Sequence, residues 1–425
     1  MKFIVTIFLI SFSSAHAAGF EDLLEQLSDH LSNREQLSAA ELSSLESAII
    51  NQAPALAKDI RLVTKAFDVI ATYDKSNQPL FLNKKTSGGF SRKDRSGKEL
   101  EHVIFQLQQA ILDQAYHVGQ IKDHYRELNS RFFACADYFP GKVSRPKDPR
   151  KVYQRKIDAS QIPPSGSPLT TDDSPARRCT GWYVAPGSIA ELKVPSALVN
   201  KGYAIRVGAH SWDLKKKPVI KRLDRISIVY PIEQDRILIA HPLGGGIYLE
   251  VPPEADAGIC DLYARNIVEA PFYSARSFHK TTLQEWKTER SKPAPWADFE
   301  SDKFMMQVPT SWIARYNTPD TLTEDYDKCM DLVSEITGRS KIRSKVVLYH
   351  QIDVIMRGSA FFPGYPHSNT NWNPLGQENG NKDHWFLQGP QFARHELFHE
   401  MGHMERITKF KGETEALVNF LYLCS

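Results

Sequence analysis

Apolar residues recur at steps of three and four from Phe20 to about Asn129, in FEDLLEQLSDHLS, AAELSSLESAIINQ and KELEHVIFQLQQAILDQAYHV. That spacing lines one face of a helix and predicts an all-helical N-terminal region over residues 18–130. The basic, glycine-containing interruption NKKTSGGFSRKDRSGK, residues 83–98, reads as an exposed loop between helices. From 131 to 177 prolines stand among lysines, serines and aspartates, the composition of a linker. After Cys179 the period shortens to two: YAIRVGAH, RISIVYP, RILIAHP and GGIYLEVP are rich in β-branched and aromatic residues and bounded by turn formers. They predict a β-rich part over 178–293. From 294 to 425 the pattern is mixed, with a helix at 323–338, a strand at 344–350 and helices around 391–407 and 413–423. The expected fold class is α+β and multidomain.

Composition narrows the function only a little. The 425 residues carry a formal net charge of +3, too slight to argue for nucleic acid or an anionic membrane as partner. The opening MKFIVTIFLISFSSAHAAGF has one lysine, an apolar run and Ala15-His16-Ala17, the form of a signal peptide over 1–17. The apolar run is too short for a membrane anchor, so export to the periplasm, cell surface or medium is expected. Five cysteines contain no Cys-x-x-Cys pair, which removes a thiolate zinc site or redox dithiol of that kind while allowing disulfides.

The chemistry concentrates in HELFHEMGH, residues 395–403. His-Glu-x-x-His occurs in it twice, from His395 and from His399. Histidines four apart project side by side from one helical face and can share a zinc ion, and the glutamate after the first then lies beside the metal-bound water. A catalytic zinc takes three protein ligands and keeps one position open. No histidine follows at the spacing x-x-Gly-x-x, because that position is Lys409; Gly412 breaks the chain and ETEALVNFL restarts an apolar period, leaving Glu413 and Glu415 as candidates.

These residues resemble the enhancin-like metallopeptidases, peptidase family M60, a gluzincin group that includes secreted bacterial enzymes acting on mucin-type glycoproteins. Its signature is His-Glu-x-Gly-His, a short spacer, then a glutamate followed four residues later by asparagine. HEMGH has Gly402 in the family's place where HELFH has Phe398, and Asn419 lies four beyond Glu415. The resemblance therefore implies His399, His403 and Glu415 as metal ligands and Glu400 as the catalytic base, with His395 a neighbour of the site. Segments 179–195, 198–212, 241–252 and 294–312 also resemble family blocks, so the likeness covers roughly 178–425. It implies a zincin-like catalytic part over 294–425, a Zn2+ cofactor and O-glycosylated, mucin-like protein substrates. The family continues through further helices where only ten residues follow Glu415 here, so part of the cleft wall is expected to be missing. HMER also stands where the family carries polar residues near HNHQ.

Two other stretches invite a chemical reading. Gly244-Gly245-Gly246 lacks the Lys-Ser/Thr and helix of a phosphate loop and leads into the strand IYLEVP. The resemblance places that strand beside the cleft, and a plain turn is the ordinary alternative. RGSAFFPGYPHSNTNWNP, residues 357–374, has the aromatic and turn-forming character of a substrate loop. In it Tyr365 is a candidate for the oxyanion, and Trp372 or the later Trp385 for a sugar face; core packing is the commoner fate of such rings. The reading is a secreted zinc metallopeptidase. Its rival is a degenerate glycoprotein- or carbohydrate-binding surface protein that keeps the peptidase-like fold.

Overall fold

A computed structural model describes residues 19–161, 175–337, 348–355, 366, 368–375, 383–393, 395–404, 415, 416, 418 and 419. The segment 1–17 lies outside them, as does Tyr365. Four long helices open the chain: Phe20–Leu31, Ala39–Gln52, Ile60–Asn77 and Glu99–Ala115. The first buries Phe20, Leu23, Leu24, Leu27 and Leu31 on one stripe. The second starts in a capping box, where Glu41 N–H donates to Ser38 Oγ and Ser38 N–H donates back to Glu41 Oε2 at 2.7 Å. Glu99–Ala115 is buried on almost every side. A helix of that kind has neighbours all round it, and here they include the β-rich part: Gln109 exchanges hydrogen bonds with the backbone of Arg225, and Arg225 pairs with Asp113 at 2.6 Å. The helical region is thus docked on the β-rich part.

The basic segment 83–98 departs from the expected solvated loop. Asn83, Thr86 and Phe90 are buried, and Phe90–Ser91 forms a short antiparallel pair with Val219–Ile220. Next to it Arg92 forms an ion pair with Asp224 at 2.6 Å. Its charge pattern hid one buried aromatic and a partner more than a hundred residues away.

Three larger sheets make up the remainder of the fold. The outer sheet has the strand order Val152–Ser160, Asp256–Arg265, Ile189–Lys193, Arg236–Ala240, all antiparallel. Its first strand lies inside the stretch 131–177 expected to be a linker. Only Ile157, Ala159 and Ser160 of it are buried while Val152, Gln154 and Lys156 are exposed, so an edge strand with one solvated face looked like connector. The central sheet runs Val268–Glu269, Ala176–Val184, Gly245–Val251, Ala204–Val207, Ile228–Pro231, again antiparallel. Every residue of Ala176–Val184 and Gly245–Val251 is buried, which requires cover on both faces.

The third sheet supplies one cover. It is mixed, in the order His279–Lys280, Phe272–Arg276, Trp296–Glu300, Phe304–Pro309, Leu348–Asp353, Ser368–Asn371. Phe304–Pro309 and Leu348–Asp353 are parallel neighbours, a pairing that needs a long crossover; helix Pro319–Thr337 lies between them, burying Leu322, Tyr326, Met330 and Val333 and stacking Tyr326 on Phe304 at 4.0 Å. The whole is α+β with several sheets and helices.

The triple glycine sits where the central sheet meets its own neighbours. Gly244 has φ +72°, and a Cβ on Gly245 would lie 2.6 Å from the Gly208 nitrogen. The close approach that glycine permits is used here by the chain's own backbone.

Polar side chains between the central and third sheets are joined to one another. Tyr248 Oη donates to Asp298 at 3.0 Å, Gln307 Nε2 donates to Tyr248 Oη at 2.6 Å, and Gln351 Nε2 donates to Gln307 Oε1 at 3.1 Å. Arg222 and Asp353 pair at 2.8 Å with side chains 2% and 0% exposed. Removing one member of such a pair leaves a bare buried charge. Arg222→Met should therefore lose about 3–5 kcal/mol in denaturant unfolding, and Arg222→Met with Asp353→Leu should recover most of it. Burial pushes the Asp298 carboxyl up from 3.8 to about 7. Between those values the folded chain holds a proton that the unfolded chain has released, so this group's contribution declines as pH rises from about 4 to about 7. Melting temperatures of Asp298→Asn, taken relative to the wild type, should climb across that window.

Candidate metal centre

Helix Glu396–Met404 carries the motif. His395 stands just before it, exposed, and its carbonyl accepts the first helical bonds, from Phe398 N–H at 3.0 Å and His399 N–H at 3.3 Å. Leu397 and Met401, four apart, are buried in the core and fix the helix. The same spacing sets the His399 and His403 rings side by side, centroids 5.0 Å apart. Both remain half-buried, within reach of solvent.

Glu415 meets them from a second helical segment, in which the described residues 415, 416, 418 and 419 are helical and Val418 is buried. Its carboxylate lies 3.4 Å from His399 Nε2 and 3.7 Å from His403 Nε2. The potential ligand atoms of the three residues all lie within 4.8 Å of one another. Tetrahedral ligands about 2.1 Å from a zinc ion stand roughly 3.4 Å apart, so the donor set of two imidazoles and one carboxylate fits that ion in type and in spacing. Four residues beyond Glu415, on the same helical face, Asn419 Oδ1 lies 2.8 Å from His399 Nδ1. An Nδ1–H donated there leaves the Nε2 lone pair for a metal. The sequence pattern gave Asn419 no task, although its spacing from Glu415 was the available signal.

Glu400 projects beside this group. Burial raises its carboxyl above the usual range, His403 and His399 pull it down, and the Glu415 charge raises it. His395 is not among the three clustered residues; its Nε2 is 4.0 Å from Glu396. Trp372 and Trp385 are both half-buried. Trp372 donates its backbone N–H to Asp353 O and sets its ring edge-on to Trp296 at 5.7 Å, and Trp385 packs among His350, His384 and Phe386. Glu413 and Lys409 fall outside the described residues, as does Cys424; the four described cysteines are free thiols.

Residues 150–260 match the N-terminal domain of M60-like peptidases, and residues 266–425 match peptidase M60, enhancin and enhancin-like. The chain carries M60-like peptidase domains. The M60-like part begins at the outer sheet, close to the strand Val152–Ser160, and leaves the N-terminal helices outside. Among curated relatives, TRPM8 channel-associated factor 3 of Mus musculus is 26% identical over 218 residues, 48% of this chain and 23% of its own length. TRPM8 channel-associated factor 1 of Homo sapiens is 28% identical over 206 residues, 45% and 22% respectively. The matches thus span about a fifth of those relatives. Two solved structures are similar at lower identity. The IMPa metallopeptidase from Pseudomonas aeruginosa has a TM-score of 0.47 at 12% identity, over 87% of this chain and 43% of that one. The M60 catalytic domain of Clostridium perfringens ZmpC, in complex with the sialyl T antigen, has 0.46 at 9%, over 63% and 56%. Likeness at that level does not by itself assign a substrate.

Two substitutions separate the registers of the motif. His403→Ala should release zinc from the purified chain while His395→Ala keeps it, as read by metal analysis after dialysis. Asn419→Ala should weaken zinc affinity by roughly 10–100-fold.

Proposed function

We propose that this chain is a zinc-dependent metallopeptidase in which His399, His403 and Glu415 hold the ion and Glu400 is the general base. The observation that carries the reading is the convergence of those two imidazoles and one carboxylate beside Glu400, within the M60-like part of the chain. When bound, zinc supplies an activated water and polarises the peptide carbonyl. Glu400 takes the proton of the attacking water and passes it to the leaving amine. Asn419 holds the His399 ring in its tautomer. Glu415 neutralises part of the cation's charge. Tyr365 is assigned to the oxyanion, and the half-buried residues Trp372 and Trp385 to contact with sugar.

The substrate proposed is an O-glycosylated, mucin-like protein, supported by the resemblance of the motif and its preceding segments to the enhancin-like group. Export is supported by the charge and hydropathy pattern of residues 1–17. No helix among the described residues is long and apolar enough to cross a membrane. The curated relatives are named for association with a channel, which favours a second reading, an association or glycoprotein-binding role on the same fold.

One assay divides the two readings. The purified chain should contain one zinc, cleave a mucin-type glycoprotein, lose that activity to a chelator and regain it with zinc. Glu400→Gln should keep the metal and lose cleavage by roughly 100-fold or more. A zinc-loaded wild type with no cleavage would leave the binding role, and a variant as active as the wild type would remove Glu400 from the mechanism.

A further inference from the structure

The outer sheet turns a charged face to solvent, and cross-strand registers show how it is built. Arg265 pairs across to Glu191, and Tyr263 pairs across to Lys193, which in turn faces Arg236. Directly opposed residues in a ladder share one face, so these five side chains stand together over three neighbouring strands. They line an open groove of about 270 Å³, with Val152 at its rim. Glu191 is held between Arg236 at 2.8 Å and Arg265 at 2.7 Å. Lys193 has no carboxylate within ion-pair distance among the described residues. Three cations against one carboxylate leave two positive charges in a space the size of a small ligand.

We propose that this groove is a binding site for an acidic sugar, one bearing a carboxylate or sulfate, separate from the metal centre. The unmatched Lys193 ammonium and the free edges of two guanidinium groups meet the anionic substituent. Tyr263 offers an aromatic face to a pyranose ring, and Glu191 offers acceptor oxygens to hydroxyls. Adjacent strands lie about 4.8 Å apart, so the cations converge on one ring. A phosphate backbone would need a longer track, and the net charge of the whole chain is only +3.

The test is binding by the full chain, measured by calorimetry with sialyllactose and with lactose. Sialyllactose should bind in the millimolar range and lactose roughly tenfold more weakly or less. Lys193→Ala and Tyr263→Ala, both on the solvent face, should each weaken sialyllactose by a similar factor while melting at the wild-type temperature. Equal binding of the two sugars, wild-type affinity in Lys193→Ala, inorganic sulfate binding as tightly as the sugar, or preferential capture of a single-stranded oligonucleotide would each overturn the assignment. The readout is affinity, not cleavage, so its failure leaves the peptidase reading as it was.

Discussion

Burying the central sheet on both faces is the constraint on which the rest of the molecule depends. Side chains alternate along a strand, so Gly245–Val251 sends Ile247, Leu249 and Val251 into the apolar core shared with Ile157, Ala159 and Leu192 of the outer sheet. Tyr248 and Glu250 point the opposite way. A polar group taken from water without a partner is costly, and here each has one: Tyr248 reaches Asp298 on the third sheet, and Glu250 is paired with Arg206. The consequence is positional. The strands Trp296–Glu300 and Phe304–Pro309 are tied to the layer above them through Asp298 and Gln307, and Leu348–Asp353 pairs in turn with Phe304–Pro309.

The candidate metal centre inherits that rigidity from one side only. Leu397 and Met401 anchor the short helix to the core, while His399, Glu400 and His403 stand where the buried stripe gives way to solvent. Imidazoles placed by helix geometry need one more element to close the set, and Glu415 reaches them with a carboxylate whose side chain is 71% exposed. Asn419 ties the second segment back to the first through the His399 ring. Among the described residues the two helical segments meet through His399, His403, Glu415 and Asn419. That arrangement makes ligand geometry and local stability parts of one equilibrium.

What could be read in the sequence was what repeats locally. The stripe Phe20, Leu23, Leu24, Leu27 and Leu31 announces its helix, and the alternation of GGIYLEV announces its strand. His399 and His403 are visible because helical spacing makes them neighbours, and Glu415 because a period restarts after Gly412; choosing Glu415 over Glu413 took the family resemblance. Partners far apart in the chain had no such signal. Nothing local marks Arg222 for Asp353, Arg92 for Asp224, or Phe90 for the core. Val152–Ser160 was missed for a related reason, since an edge strand with one solvated face carries half the apolar pattern of an interior one.

Burial also separates histidines that pack from histidines able to bind. His350 is fully buried and stacked on Phe386 at 4.5 Å. Burial depresses His210 to about 4 and His384 to about 4; His210 is hydrogen-bonded to Ile352 O and His384 caps the short helix Trp385–Gln388. The His210 and His384 rings are thus held neutral and already hydrogen-bonded, and an ion reaching the buried His350 or His210 would have to displace the core around it. His399 and His403 face a carboxylate, keep 25% and 18% of their side chains exposed, and leave room for the open coordination position a hydrolytic metal needs. The distinction lies in solvent access and partner charge, and residue type alone does not contain it.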